Sequence, residues 1–280
     1  MNCDSSGDTT LFILDPPHRI EYQVAGNPNG LPLLSIHGGP GSGSSPRQIA
    51  PVDLDRFRVV QIDQRGCGLS VPTGLLDFNT PAHLIADMEA VRIQLNISRW
   101  AVVLAGSWGA SLAILYAHEH PLRINQLLLR NTFLCSSGEI EGFFQGQNRN
   151  ELFRALNSDD AFKQRAAMEI WRGCESRGEK PEPVSEQDFY SALQKYRLQA
   201  HYISNGFFIS EGYIENCFQG LNIEGIDLLH GSSDLVCPPS NSVRLAQLNS
   251  RARFHPIANC GHDPFHPAMI EQTREILCAL

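Results

Sequence analysis

Positive charge is in short supply in this chain: 22 lysines and arginines stand against 30 aspartates and glutamates, a formal net charge of −8. That balance leaves no basic footprint for a phosphate backbone or an anionic membrane surface, and sets aside nucleic acid and membrane as partners. Long apolar runs are missing too. None approaches the roughly 18 residues needed to cross a bilayer, and the start, Met1-Asn2-Cys3-Asp4-Ser5-Ser6, has neither the basic nor the apolar region of a secretory leader. The expectation is a cytoplasmic protein. Eight cysteines are spread along the sequence without a C-x-x-C pair, in a chain too large to need staples, and they read as free thiols. The one dense patch of metal-ligand types, His255, Cys260, His262 and His266, crowds three of its members into one predicted loop, so no metal is expected there. Internal repeats and low-complexity segments are also absent.

What is present is a globular composition, 42% hydrophobic and 19% charged over 280 residues, enough for one α/β domain with an insertion or for two small domains. Two amphipathic runs, 11–14 and 19–24, predict an opening hairpin. Short β-rich apolar runs follow at 33–36, 57–62, 101–104 and 124–129, each suited to a buried strand. Between the second and third of these, Thr80 as N-cap and Pro81 at the first helical position start a helix whose Leu84, Met88, Val91 and Leu95 share one face, giving a βαβ crossover. From about 135 to 219 strand-like runs nearly vanish, polar and aromatic residues interleave, and Gly178-Glu179-Lys180-Pro181-Glu182-Pro183 breaks the middle. The strand-and-helix pattern returns at 226–229 and 253–257, with a final helix over 267–277. The predicted organisation is a core over 1–134, a helical cap over 135–220 inserted before the last two strands, and the rest of the core over 221–280.

Ala105-Gly106-Ser107-Trp108-Gly109 follows a predicted strand and opens a helix of small residues. A sharp strand-to-helix turn of this kind holds a serine hydroxyl clear of the sheet, and Ala105 stands where the first glycine of G-x-S-x-G would be. A serine hydroxyl needs a base, and the base an orienting carboxylate. Asp234, in His230-Gly231-Ser232-Ser233-Asp234, and His262, in Asn259-Cys260-Gly261-His262, each follow a later strand. The order is therefore Ser107, Asp234, His262, with His266 as a competing base and a turn or cap role as the alternative for Asp234. His37-Gly38-Gly39-Pro40-Gly41 supplies a glycine loop whose Gly39 N–H, or that of Gly38, joins the Trp108 N–H as oxyanion donors. His37 itself reads as a brace for that loop.

Together with Asp63-Gln64-Arg65-Gly66-Cys67-Gly68-Leu69-Ser70, Asn79-Thr80, Asp87-Met88-Glu89 and Asp234-Leu235-Val236-Cys237-Pro238, these motifs resemble the proline iminopeptidase family of α/β-hydrolases. The resemblance implies that fold, with a mostly parallel eight-stranded sheet flanked by helices. It also implies acyl-enzyme chemistry on an N-terminal proline without metal or organic cofactor, and triad roles for Ser107, Asp234 and His262. It places Phe133, Phe143 or Phe144, and Cys237 at a pocket for the pyrrolidine ring. The family's two amine-holding glutamates, in W-E-G and E-x-H-Y-F stretches, are not matched: this chain reads Trp171-Arg172-Gly173 and Gln199-Ala200-His201-Tyr202-Ile203. An ammonium beside Arg172 would meet repulsion, while the guanidinium fork suits a carboxylate. The expected function is a serine hydrolase cleaving an amide or ester in a small molecule or short peptide, with Arg172, Gln199 and Tyr202 at the substrate. The alternatives are an esterase, thioesterase or lactonase for a small acidic or acylated metabolite, and a ligand-binding homologue without turnover.

Overall fold

The computed structural model describes residues 10–177 and 183–280, so all but Pro183 of the predicted 178–183 breaker lies outside the described residues. β1 (Thr10–Asp15) and β2 (His18–Gly26) form the antiparallel opening hairpin. They are followed by β3 (Leu31–Ile36), β4 (Phe57–Ile62), β5 (Trp100–Gly106), β6 (Ile124–Arg130), β7 (Gly225–Gly231) and β8 (Ala252–Ile257). The eight strands make one sheet in the order β1-β2-β4-β3-β5-β6-β7-β8, parallel from β4 to β8. This is the α/β-hydrolase arrangement that the motifs imply.

The central strands are apolar at consecutive positions because both faces of the sheet are covered. On one face Leu34, Val60, Val103 and Leu127 are register neighbours, with Ile36, Ile62, Ala105 and Leu129 two residues on. The alternate set, Leu33, Val59, Val102, Leu104 and Leu128, faces the other way and packs with Met269, Ile276 and Leu277 of the C-terminal helix.

The first face carries α1 (Pro81–Gln94) and α2 (Trp108–Glu119). Helix α1 begins where the sequence predicts, although the Thr80 hydroxyl bonds to the His83 ring at 2.8 Å and makes no backbone cap. Its Leu84, Met88 and Val91 are buried, while Leu95 is half-buried at the C-cap. Helix α2 is buried from Trp108 through Ala117, lying between β3, β5 and β6 on one side and neighbouring helices on the other, with Ala110, Ala113 and Ala117 permitting the close fit.

Five α-helices among the described residues connect β6 to β7: α3 (Ser137–Phe144), α4 (Arg149–Leu156), α5 (Ala161–Ser176), α6 (Phe189–Ser204) and α7 (Tyr213–Gln219). Phe144, Phe153, Trp171 and Tyr196 form an aromatic centre within this segment. Helix α7 packs against α2 and against α8 (Ser240–Leu248). The chain closes with α9 (Pro267–Cys278). Among the described residues, no helix is long and apolar enough to cross a membrane. The loops after β3, β5, β6, β7 and β8 all leave the same edge of the sheet, where ligands bind in open parallel sheets.

Candidate active site

Ser107 sits between β5 and α2 with φ 54° and ψ −129°, a left-handed conformation that L-residues adopt at a cost. Its neighbours make the turn feasible. A Cβ at Gly109 would lie 2.7 Å from the Ile36 and His37 carbonyl oxygens, so only glycine lets the start of α2 approach β3. Ala105, the departure from G-x-S-x-G, is an ordinary strand residue paired with Ile36 and Leu129, and its methyl fills the core. The Ser107 N–H donates to the Arg130 carbonyl at 3.0 Å, tying the elbow to the end of β6.

His262 Nε2 lies 3.2 Å from Ser107 Oγ, and His262 Nδ1 lies 2.7 Å from Asp234 Oδ2. Asp234 is buried, and its other oxygen accepts the N–H groups of Val236 at 2.8 Å and Cys237 at 2.9 Å. Burial acts to raise its pKa, but hydrogen bonds from His230, His262 and the Cys237 N–H prevail and hold the carboxyl far below the usual range. The two loops bearing Asp234 and His262 press together at Gly231, where a Cβ would collide with the carbonyl oxygens of Cys260 and Gly261. Asn131 fixes both, accepting the Gly231 N–H at 3.0 Å and donating to the Gly261 carbonyl at 3.3 Å. His266, the competing base, is the N-cap residue of α9 and lies outside the cavity lining, and His255 is bound to Asp227 at 2.8 Å.

Gly38 backs onto the serine: a Cβ there would be 3.4 Å from Ser107 Cβ. His37 is buried and braces the loop, its Nε2 accepting the Gln64 N–H at 3.1 Å and its Nδ1–H donating to the Gly38 carbonyl at 2.8 Å. Burial lowers its pKa, so the ring stays neutral. Gln64 latches this loop to the elbow, donating to the His37 carbonyl at 2.8 Å and accepting from Trp108 Nε1 at 3.0 Å. The Trp108 N–H is the first of α2 and so has no acceptor within the helix.

Above Ser107 opens a cavity of about 330 Å³, walled by Phe133, Ile140, Phe143, Trp171, Phe207 and Cys237 among others. Among the described residues, two carboxylates line it. Glu139 accepts from Leu134 N at 3.2 Å, Ser136 N at 3.0 Å, Ser136 Oγ at 2.8 Å and Asn241 Nδ2 at 2.5 Å. Glu175 accepts from Lys195 Nζ at 3.1 Å, Tyr196 OH at 2.9 Å and Gln199 Nε2 at 3.4 Å. Burial raises the Glu139 pKa against those hydrogen bonds.

Comparison with known proteins agrees with this architecture. A family model for the alpha/beta hydrolase fold matches residues 32–268. The proline iminopeptidase of Xylella fastidiosa strain Temecula1 is 33% identical over 305 aligned positions, covering 97% of this chain and 95% of its own. The chain belongs to the proline iminopeptidase-like family of α/β-hydrolases. The proline iminopeptidase of Neisseria gonorrhoeae is 32% identical, with 93% of each chain covered. Among solved structures, the esterase RhEst1 from Rhodococcus sp. ECU1013 superposes with a TM-score of 0.71 at 21% identity, covering 98% of this chain and 99% of that one. The proline iminopeptidase of Mycobacterium smegmatis gives 0.67 at 20%, covering 97% of each. This family of hydrolases is thus the frame for the remaining residues.

Of the residues that the resemblance assigns to substrate, Phe133, Phe143, Gln199 and Cys237 line the cavity. Phe144 does not: it is buried against Phe153 and Trp171, one position and about a quarter-turn from Phe143. Tyr202 is likewise a packing residue, its ring on Trp108 and its hydroxyl donating to Asn79 Oδ1 at 2.9 Å. Arg172 lies on α5 outside the cavity lining, because Trp171 and Glu175, four apart, share the inward face and Arg172 is turned away from it. The cavity therefore holds a carboxylate that the W-E-G comparison misses.

The remaining family motifs are scaffold. Arg65 is buried and forked onto Asp87, with 2.7 Å and 2.8 Å bonds, and also pairs with Asp15. Asp63 joins two loops, accepting Ser44 N–H of the loop after β3 at 2.6 Å and Leu69 N–H of its own following turn at 2.8 Å. Glu89 holds Arg92 and Tyr116.

Proposed function

We propose that the protein is a serine hydrolase that cleaves a small amide or ester through an acyl-enzyme. The observation that carries this is the single imidazole of His262, 3.2 Å from Ser107 Oγ on one side and 2.7 Å from the Asp234 carboxylate on the other, at the floor of an apolar cavity. The Ser107 Oγ–H passes its proton to His262 Nε2 as oxygen attacks the scissile carbonyl carbon. Asp234 fixes the tautomer and stabilises the imidazolium. The oxyanion lies against the Gly39 and Trp108 N–H groups. His262 then protonates the leaving group as the carbonyl re-forms, and water, deprotonated by His262 in turn, releases the acid and frees Ser107. The helices between β6 and β7 act as the cap that shapes the acyl pocket.

A second reading keeps the chemistry and gives the substrate a free N-terminal amine, as the named relatives suggest. Glu175 favours it, since that carboxylate lies in the cavity one turn beyond the missing position. Against it, Lys195 already pairs with Glu175.

The test is kcat/KM on prolyl p-nitroanilide and on an N-acetylprolyl p-nitrophenyl ester, with Ser107→Ala as control and a phosphonate probe of the serine. Turnover of either substrate, abolished in Ser107→Ala and matched by probe labelling, is the expected outcome, and preference for the anilide selects the second reading. A folded protein that neither labels nor turns over is a ligand-binding homologue, and the proposal fails.

A further inference from the structure

Among the described residues, a charged group at the cavity wall that lacks a counterpart is a cation. Arg130 ends β6, is only 4% exposed and lines the cavity, yet its Nε and Nη1 have no hydrogen-bond partner among the described residues. Burial pushes its pKa down to about 10, and no carboxylate among the described residues acts on it. It remains protonated at neutral pH, a buried guanidinium with donors to spare. The nearby acids do not serve it. Glu139 is held by backbone and amide donors, and Glu175 by Lys195, Tyr196 and Gln199.

Position matters as much as charge. Arg130 and Gly106 are register partners across β5 and β6, and the Arg130 carbonyl accepts the N–H of Ser107 itself. The guanidinium is therefore rooted one strand spacing, about 5 Å, from the nucleophile's backbone. A planar fork of donors matches a carboxylate in two parallel hydrogen bonds, and such charge-assisted bonds are shorter and stronger than neutral ones.

We infer that Arg130 is a specificity-determining residue that binds a carboxylate carried by the substrate itself, close to the scissile bond. The inference rests on the acyl-transfer reading of the same site and narrows its substrate class to anionic esters or amides. An apolar wall of Phe133, Phe143 and Phe207 beside a cation that is unpaired among the described residues selects a small molecule that is hydrophobic along its length and negatively charged at one point.

The test compares kcat/KM for two matched pairs. Mono-p-nitrophenyl glutarate against p-nitrophenyl valerate places the charge on the acyl side. The 4-carboxyphenyl ester of valeric acid against phenyl valerate places it on the leaving side. In at least one pair the anionic-to-neutral ratio should fall tenfold or more in Arg130→Met, and only partly in Arg130→Lys, which keeps the charge but not the fork. In parallel, calorimetry of glutarate with Ser107→Ala protein should give a dissociation constant at least tenfold weaker once Arg130→Met is added. Arg130→Met should melt no lower than the parent, since it removes an uncompensated buried charge. Should it fail to fold, Arg130→Lys carries the comparison. Equal ratios in parent and variant for both pairs, with unchanged glutarate binding, would overturn the inference. If no ester is hydrolysed and the phosphonate does not label, the acyl-transfer reading fails by itself, and the glutarate titration still decides whether Arg130 is an anion site.

Discussion

Asn131 accepts the backbone N–H of Gly231 at 3.0 Å, and its amide nitrogen donates to the carbonyl of Gly261 at 3.3 Å. One side chain thus holds the turn that leads to Asp234 and the residue before His262. Asn131→Ala releases both loops without altering the identity of the three proposed catalytic side chains. A misplacement of about 1 Å at such a site costs on the order of 10²-fold in rate. The expected result is a fall of that size in kcat with KM nearly unchanged. An unaltered kcat would show that the loops are held elsewhere.

Asp234 carries a pH signature. Its folded pKa is depressed, so its stabilising contribution is complete above the unfolded value of about 3.9 and is lost as pH falls below it. In Asp234→Asn that contribution is absent. The gap in Tm between the parent and variant should be widest near neutrality and narrow on acidification below about pH 4, as read by calorimetric melts across that range. Turnover by the variant should drop by about 10⁴, because the imidazole loses both its tautomer and its counter-charge.

Phe143 and Phe144 are adjacent and should behave differently. Phe144 is 1% exposed in the aromatic centre, so Phe144→Ala should cost about 3–5 kcal/mol and lower Tm clearly. Phe143 lines the cavity, so Phe143→Ala should mainly raise KM for apolar acyl groups. Thermal melts beside Michaelis kinetics on both variants check the contrast, and similar Tm losses would show that Phe143 is packing as well.

The sequence made the sheet and its C-terminal edge largely readable because those signals are local. Runs such as 57–62 coincide with β4, and Ser107, Asp234 and His262 each follow a strand within a short motif. The cavity was much less legible because its walls come from β3, β5, β6, α3, α5 and α6 together. In α5 the motif comparison fell on Arg172, whereas helical spacing from Trp171 leads to Glu175. Helical geometry likewise parts the adjacent Phe143 and Phe144, about a quarter-turn from each other on α3. Arg130 had a usable signal, a charged residue closing an apolar strand at the functional edge, but its want of a partner emerges only when the surrounding elements are assembled.

The bond from Ser107 N–H to the Arg130 carbonyl has a consequence for how this scaffold changes its diet. That contact uses only main-chain atoms, so it persists whatever side chain occupies position 130. On the proposed reading, the same residue can therefore exchange one ligand preference for another by single substitutions while the backbone geometry of Ser107 beside it is inherited intact. Selectivity is free to drift at this point of the molecule without first disabling the chemistry.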